Sequence, residues 1–165
     1  MKINVVLVEP EIPQNTGNIA RTCAATGGKL HLVYPLGFSI SEREVKRAGL
    51  DYWDKLDIEE HISFEKFLEK YKPEENNMFF VTTKGKKVYS EVNYSNMDEV
   101  FCLFGKETKG LPEDILKKYI EKTIRIPMRE TLRSLNLSNS VAIVAYDIFR
   151  QCDFSNLEEI SSYFE

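Results

Sequence analysis

The sequence predicts an α/β fold in which a mostly parallel sheet is flanked by helices. Short runs rich in Val, Ile and Phe alternate with segments of helical periodicity. Runs this apolar are typical of strands buried on both faces of a parallel sheet. The βαβα order supplies the helices that cover those faces. A length of 165 residues suits one compact domain, which we place at 1–165.

The predicted strands coincide with the short apolar runs. They are Ile3–Val8, Leu30–Val33, Met78–Thr82, Val100–Phe104 and Ile124–Pro127. The predicted helices lie between and after these strands, at Thr16–Thr26, Ser41–Ala48, Ser63–Tyr71 and about Leu137–Gln151. Ser41 and Glu44 have the spacing of a capping box, which favours a helix beginning there.

The last predicted helix is apolar on more than one face. Its main stripe repeats at helical spacing and consists of Val141, Val144, Ala145 and Ile148. Ile143 and Phe149 lie off that stripe, so the helix must be buried on more than one side. A large core and a second subunit both satisfy this requirement, and the pattern alone does not choose between them.

The composition is that of an ordinary globular protein, with 42% hydrophobic and 29% charged residues. The apolar run at Ile3–Val8 is too short for a signal peptide or a membrane span, so a cytoplasmic location without a membrane partner is expected. The three cysteines are far apart and are expected to pack as free thiols. His31 and His61 stand alone in the sequence, and no metal site is predicted.

The net charge of −4 at first argues against a nucleic-acid partner. However, the acidic C-terminal end, 151–165, carries four acidic residues and no basic one, so that the preceding 150 residues are neutral overall. Within them, basic residues cluster at Arg43, Lys46 and Arg47, at Lys84, Lys86 and Lys87, and at Arg129 with Arg133. These clusters are either solvated faces or local contacts to phosphates.

Ligands of open parallel sheets bind beyond the carboxyl ends of the strands, so the segments that follow strands are the places to search. The first segment, after Ile3–Val8, contains Asn15, Gly17 and Asn18 as turn and cap formers, with Arg21 one turn into the helix. An ordinary helix cap with a surface arginine would give the same pattern.

The second segment reads Gly105-Lys-Glu-Thr-Lys-Gly110-Leu-Pro. It is not a phosphate-binding P-loop, because Leu111 and Pro112 stand where that motif requires Lys and Ser or Thr. A nucleotide-binding hydrolase is therefore disfavoured, and Glu107 favours a neutral or cationic ligand. A glycine-rich turn without a ligand remains the simpler alternative.

The third segment runs from Ile124 to Met128 and then from Ser134 to Ser140. Ser138 or Asn139 is expected to cap the last helix. The stretch also offers Ser134 and Asn136, and this density of polar side chains exceeds what one cap needs.

The three segments resemble, in order, the signature motifs of the SPOUT (trefoil-knot) methyltransferases. The matching residues are Asn15-x-Gly17-Asn18-x-x-Arg21, then Gly105-x-Glu107-x-x-Gly110-Leu111-Pro112, then Ile126-Pro127-Met128 with Ser134-Leu135-Asn136-x-Ser138. The opening Glu9-Pro-Glu-Ile-Pro, the Arg47-Ala-Gly-Leu-Asp-Tyr52 segment, the turn Thr82-Thr83-Lys84-Gly85 and the minimal length are similar to the TrmL (YibK-type) subfamily of tRNA wobble-nucleotide 2′-O-methyltransferases. The resemblance covers roughly residues 3–150.

This resemblance implies a deep trefoil knot in the C-terminal half and S-adenosylmethionine as a methyl donor that works without a metal. A homodimer is predicted from the last helix, with an interface around Tyr146, because that helix is apolar on more than one face. The implied reaction methylates the ribose 2′-hydroxyl of cytidine or uridine 34, so the implied partner is the anticodon loop of tRNA and not DNA. Relatives with the same motifs modify other tRNA positions or rRNA, and this alternative stays open. A catalytically silent RNA-binding module is disfavoured because all three motifs keep their polar residues.

The resemblance also implies residue roles. The donor-binding residues are Val81, Thr82, Thr83, Gly105, Gly110, Ile126, Met128, Ser134 and Leu135. Arg21 is assigned to the 2′-hydroxyl, and because a guanidinium with a pKa above about 12 is a poor base, we expect it to orient the ribose and the adjacent phosphate. Supporting roles in ordering the loops fall to Asn15, Glu107, Asn136 and Ser138. RNA contacts are expected from Arg43, Lys46, Arg47, Lys84, Lys86 and Lys87.

Overall fold

A computed structural model describes residues 1–40 and 55–163. The strands are β1 (Lys2–Val8), β2 (Lys29–Val33), β3 (Ile58–His61), β4 (Met78–Val81), β5 (Lys87–Val88), β6 (Glu99–Phe104) and β7 (Thr123–Arg125). The helices are α1 (Pro13–Thr26), α2 (Phe64–Tyr71), α3 (Glu113–Lys118) and α4 (Leu137–Gln151), with 3₁₀ turns at Tyr89–Glu91 and Ile120–Lys122. The described strands form one sheet in the order β3-β2-β1-β6-β4-β7-β5, and all neighbours are parallel.

The predicted α/β class and parallel sheet are confirmed. The five predicted strands are β1, β2, β4, β6 and β7, although β7 ends at Arg125 and not at Pro127. The sequence pattern does not predict β3, because Glu59 and Glu60 interrupt its apolar run, nor the two-residue β5 and the six-residue α3. The helix predicted at Ser41–Ala48 lies outside the described residues.

Helix α1 begins at Pro13, earlier than predicted. Proline is favoured at the first helical position, where its missing N–H costs nothing. Asn15 and Gly17 therefore lie inside the first turns of the helix and are buried. The prediction that they form the turn and cap at the helix entry is wrong.

Two cores cover the two faces of the sheet. Side chains alternate along β1, so that Ile3, Val5 and Leu7 join the core beneath α1 and α4, whereas Val6 and Val8 face α2 and α3. The predicted stripe of α4 is buried and belongs to the first core, with the exception of Ala145, which is buried but lies outside that cluster. Phe149, off the stripe, is buried as well.

The described cysteines are free thiols, as the sequence predicts. Cys23 and Cys102 are buried, and burial raises the pKa of each thiol to about 12. They therefore remain protonated and pack as small apolar side chains. Among residues 1–40 and 55–163, no helix combines the length and the apolar character needed to cross a membrane.

The two histidines, which stand alone in the sequence, form one buried network in the structure. His31 Nδ1 lies 3.0 Å from His61 Nε2, and His31 Nε2 lies 3.0 Å from Asn4 Oδ1. Together with Glu59 they offer ligand atoms within 4.8 Å of one another. However, Glu59 already accepts hydrogen bonds from Lys70 at 2.6 Å and from the Tyr71 hydroxyl at 2.9 Å. We interpret the cluster as a polar network whose members satisfy one another.

The sheet order determines where the three motif segments meet. Strands β1, β6, β4 and β7 are consecutive parallel neighbours, so their carboxyl ends lie along one edge. The segments that follow them, which begin at Glu9, Gly105, Thr82 and Ile126, therefore converge. The trefoil knot implied for the C-terminal half stays a prediction.

Candidate active site

A cavity of about 580 Å³ lies where these segments converge. This volume is within the range of about 300–1,000 Å³ typical of small-molecule sites. All nine residues to which the resemblance assigns donor binding line it, namely Val81, Thr82, Thr83, Gly105, Gly110, Ile126, Met128, Ser134 and Leu135. They come from three segments that are distant in sequence, and the fold places these segments around one cavity.

Close backbone packing shapes one wall of this cavity. A Cβ atom at Gly105 would lie 2.0 Å from the backbone carbon of Gly110 and 2.1 Å from the backbone nitrogen of Leu111. Any side chain at position 105 would therefore push the loop apart. The loop is closed by a bridge between Lys106 and Gly110, where the Gly110 N–H donates to the Lys106 carbonyl at 2.8 Å.

Glu107 connects this loop to the start of α1. Its carboxylate accepts hydrogen bonds from the backbone N–H groups of Glu11 at 2.8 Å and Ile12 at 3.2 Å, and from the Asn15 amide at 3.1 Å. Both N–H groups lie just before the first helical residue, Pro13, where a carboxylate is favoured by the helix dipole. Asn15 in turn accepts a hydrogen bond from Asn136 Nδ2 at 3.0 Å. One chain of hydrogen bonds thus ties all three motifs together.

Asn136 is the N-cap of α4. Its side-chain oxygen accepts hydrogen bonds from the Ser138 N–H at 2.9 Å, the Asn139 N–H at 3.3 Å and the Ser138 hydroxyl at 2.6 Å. The prediction that Ser138 or Asn139 caps this helix is wrong, because the amide of Asn136 is fixed by Asn15 in the position that capping requires. Asn136 therefore has two structural partners, the helix behind it and the first motif.

Two of the residues predicted to act in catalysis or to support it do not line the cavity. Arg21 lies on the exposed face of α1, and Ser138 donates its N–H and its hydroxyl to Asn136, which does line the cavity. Arg21 is thus absent from the walls predicted to hold the donor, and its role at the substrate ribose stays a prediction. Asn15, Glu107 and Asn136 do line the cavity.

The predicted basic cluster at Lys84–Lys87 lies beside the cavity. Lys84 lines it and is paired with Glu113, and the side chains of Lys86 and Lys87 are exposed. The other cluster, Arg43, Lys46 and Arg47, lies outside the described residues.

Several polar residues of the lining are not among the predicted site residues, although Arg133 belongs to a predicted basic cluster. Lys106, Thr108, Lys109 and Arg133 all line the cavity. Lys106 forms an ion pair with Glu9. The first three lie between the motif glycines 105 and 110, so their position was the signal that could have identified them.

The fold and the cavity define a class: a parallel α/β domain whose small-molecule site is built from the three ordered motifs of SPOUT methyltransferases. Within that class, the chain belongs to the SpoU rRNA Methylase family, whose model matches residues 2–146.

Similar proteins support this assignment. The chain is 47% identical over 157 residues to a putative tRNA (cytidine(34)-2′-O)-methyltransferase of Bacillus subtilis, covering 94% of this chain and 97% of the relative. A solved structure described by the 2-OH methylation of C/U34 on tRNA is 43% identical, with a TM-score of 0.84 and coverage of 93% and 97%. The AdoMet-bound rRNA methyltransferase of Sinorhizobium meliloti is 25% identical, with a TM-score of 0.77 and coverage of 90% of this chain and 56% of that chain.

Proposed function

We propose that this chain transfers the methyl group of S-adenosylmethionine to the ribose 2′-hydroxyl of nucleotide 34, a cytidine or uridine, in tRNA. The observation that carries the proposal is the convergence of all nine predicted donor-binding residues on one cavity. Relatives that match nearly the full length of the chain and are named for this reaction support the same position.

The cavity lining fits the donor chemically. Ile126, Met128 and Leu135 offer apolar surface to an adenine, and the hydroxyls of Thr82 and Ser134 are suited to ribose oxygens. When bound, the donor would supply a methyl group on a sulfonium: the methyl passes to the ribose oxygen, the sulfur keeps the electron pair of the broken bond, and the hydroxyl proton leaves late in the transfer or passes to the neighbouring phosphate. A displacement of this kind requires alignment and no metal, and alignment alone can contribute several kcal/mol.

Arg21 is the residue that we assign to the substrate ribose. A guanidinium is a poor base and presents several donors in a fixed plane. It therefore holds the 2′-hydroxyl and the neighbouring phosphate, and it does not act as the base. The chain from Glu107 through Asn15 to Asn136 fixes the helix that carries Arg21 against the donor loops.

The anticodon loop is the proposed RNA element. Single-stranded loops present splayed nucleotides, whereas the ribose of a duplex nucleotide is held in the helix. Phosphate contacts are assigned to the exposed lysines at Lys84–Lys87, together with Arg43, Lys46 and Arg47. The single-domain organisation and the cytoplasmic location remain predictions.

A homodimer is proposed through the outer face of α4. Tyr146 is 47% exposed on that face, next to the buried Ala145 and Phe149. A symmetric contact would bury this aromatic side chain and duplicate every basic patch. Light scattering at micromolar concentration should therefore give twice the mass of one chain, and the mass of one chain would contradict the dimer.

One experiment tests the proposed reaction. The purified chain is incubated with isotope-labelled S-adenosylmethionine and bulk unmodified tRNA, and the tRNA is then digested and analysed by mass spectrometry. Label on the ribose of nucleotide 34 supports the proposal. The rRNA methyltransferase similarity favours a second substrate class, so ribosomal RNA is included in parallel. Label only there, or at another tRNA position, would refute the substrate and keep the chemistry.

A further inference from the structure

Two acidic residues on different loops, Glu107 and Glu11, each accept a backbone hydrogen bond from the loop that carries the other. Glu107 of the second motif accepts hydrogen bonds from the N–H groups of Glu11 and Ile12. In return, the Glu11 carboxylate accepts from the Thr108 N–H at 3.0 Å and from the Thr108 hydroxyl at 2.9 and 2.8 Å. Glu11 and Thr108 are 97 residues apart in sequence. These hydrogen bonds, with an acceptor carboxylate on each loop, hold the loop after β1 against the loop after β6.

The Glu11–Thr108 contact uses an ionised acceptor. The hydrogen bonds from Thr108 lower the pKa of the Glu11 carboxyl group, so it is charged at neutral pH. Hydrogen bonds to a charged acceptor are shorter and roughly twice as strong as neutral ones. Thr108 lines the cavity, while Glu11 stands behind it. Glu11 is therefore placed to act on the cavity through Thr108 and not by touching a ligand.

The other side of Glu11 contacts the segment that leads to a predicted RNA-binding cluster. The Gly37 N–H donates to the Pro10 carbonyl at 2.9 Å. A Cβ at Gly37 would lie 2.7 Å from Glu11 Cα and 2.9 Å from its carbonyl oxygen. Only glycine permits this approach. Gly37 precedes Arg43, to which we assign RNA contacts, by six residues in sequence, and Glu11 contacts both Gly37 and the donor loop.

We propose that Glu11 and Thr108 are positioning residues that set the alignment of the substrate ribose with the donor methyl group. This inference rests on the proposed function. It assigns to the pair an effect on the transfer step, with little effect on the binding of either ligand, because Glu11 lies outside the cavity lining and its contact with Thr108 sets the relative position of the two loops.

The test is single-turnover methyl transfer at saturating tRNA and donor. Glu11→Gln replaces one acceptor oxygen by a donor and should slow transfer by about 10- to 100-fold, since small errors of alignment have effects of this size. Thr108→Val should slow it by about 10-fold, and Thr108→Ser, which keeps the hydroxyl, should restore the rate. Because the two residues act through one contact, the double variant should be no slower than the slower single variant.

A matched control separates positioning from general stability. Glu75→Gln removes a carboxylate paired with Lys72 at 2.9 Å on the exposed surface and should leave the rate unchanged. Donor affinity by calorimetry and the melting temperature are measured for each variant. A purely structural role would lower both and leave the transfer rate of the folded fraction unchanged, and this result would overturn the inference.

The outcomes for the wild-type chain distinguish the two proposals. If the wild-type chain transfers methyl groups to tRNA and Glu11→Gln and Thr108→Val do so at the same rate, the inference is wrong while the proposed function stands. If the wild-type chain transfers no methyl group to any tRNA while binding the donor, the proposed function fails first.

Discussion

Two polar networks of this protein differ in what they connect. The histidine network joins residues of neighbouring strands, His31 of β2 and His61 of β3, and is buried under α2. The motif network joins loops, from Glu107 through Asn15 to Asn136, and borders the cavity. The histidine side chains are fixed on two paired strands and buried from water, so the first network should matter for stability. Loops at the carboxyl edge meet the ligand, so the second should matter for chemistry.

The largest expected effect is on the chemical side. Arg21→Ala should lower the rate of methyl transfer by roughly 100-fold or more, because one fixed cation that orients a reacting group contributes at this scale. Donor affinity should change little, since Arg21 does not line the cavity. Single-turnover kinetics and calorimetry measure the two quantities separately.

Arg21→Lys serves as the control for charge alone. It should rescue little activity, because a point charge does not reproduce the planar guanidinium. Loss of donor binding in Arg21→Ala with a normal transfer rate for the bound fraction would show that the role is assigned wrongly.

The second prediction concerns the pH dependence of stability. Burial lowers the pKa of His31 to about 3, compared with 6.5 for an exposed histidine. The unfolded chain therefore binds a proton that the folded chain excludes, and stability falls as pH falls below about 6.5. Between pH 7.5 and pH 5 the chain should lose about 2 kcal/mol of unfolding free energy through this residue. Urea denaturation at the two pH values measures the loss.

The change in stability between pH 7.5 and pH 5 reports on the histidine network, because the sequence contains only two histidines and both belong to it. His61 contributes with the same sign, since burial lowers its pKa as well. Asn136→Ala, which alters the motif network, should keep the same pH dependence. Equal stability at the two pH values would mean that the histidines are not excluded from protonation.

The third prediction is the effect of Asn136→Ala on stability. Loss of an N-cap side chain costs about 1 kcal/mol, so the variant should be destabilised by that amount. Ser138→Ala is the matched control, since its hydroxyl only donates to the cap and the Ser138 N–H remains. Denaturation at pH 7.5 compares the two. If Ser138→Ala were the more damaging change, the cap would be assigned to the wrong residue.

The smallest effect is expected for single exposed lysines. Lys87→Ala should weaken tRNA binding a few-fold and reduce the slope of log K against log salt by about 1, because one phosphate contact is lost. Lys66→Ala, which breaks an exposed pair with Glu69 on α2, is the control. Filter binding at several salt concentrations measures the slope. Identical slopes for Lys87→Ala and the wild-type chain would show that Lys87 does not contact an RNA phosphate.

The two networks were not equally predictable from the sequence. The motif residues follow one another in a recognisable order, so Asn15, Glu107 and Asn136 were identified before their contacts were known. The histidine network depends on the register of β2 and β3, which pairs His31 with Glu59. No local sequence pattern encodes that register. Glu59 and Glu60 interrupt the apolar run of β3, so the strand itself is not predicted from the sequence.

The same reason explains the errors at the site. Ser138, Asn139 and Asn136 are all good cap formers, and only the bond from Asn136 to Asn15 decides among them. Glu11 lies in the opening segment that resembles the subfamily and Thr108 at an unspecified position of the second motif, but no sequence pattern pairs them, because their contact exists only once two distant loops meet. The buried apolar runs, in contrast, predicted five strands correctly because burial on both faces leaves a continuous trace in sequence.

The central claim is that the cavity binds the methyl donor and Arg21 orients the ribose in the 2′-O-methylation of nucleotide 34 of tRNA. Mass spectrometry of tRNA from cells that lack the protein, complemented with the wild-type chain or with Arg21→Ala, tests it most directly. We expect the 2′-O-methyl group at nucleotide 34 to disappear without the protein, to return with the wild-type chain and to stay absent with the variant. Unchanged methylation at nucleotide 34 in the deletion strain, or full restoration by Arg21→Ala, would contradict the account.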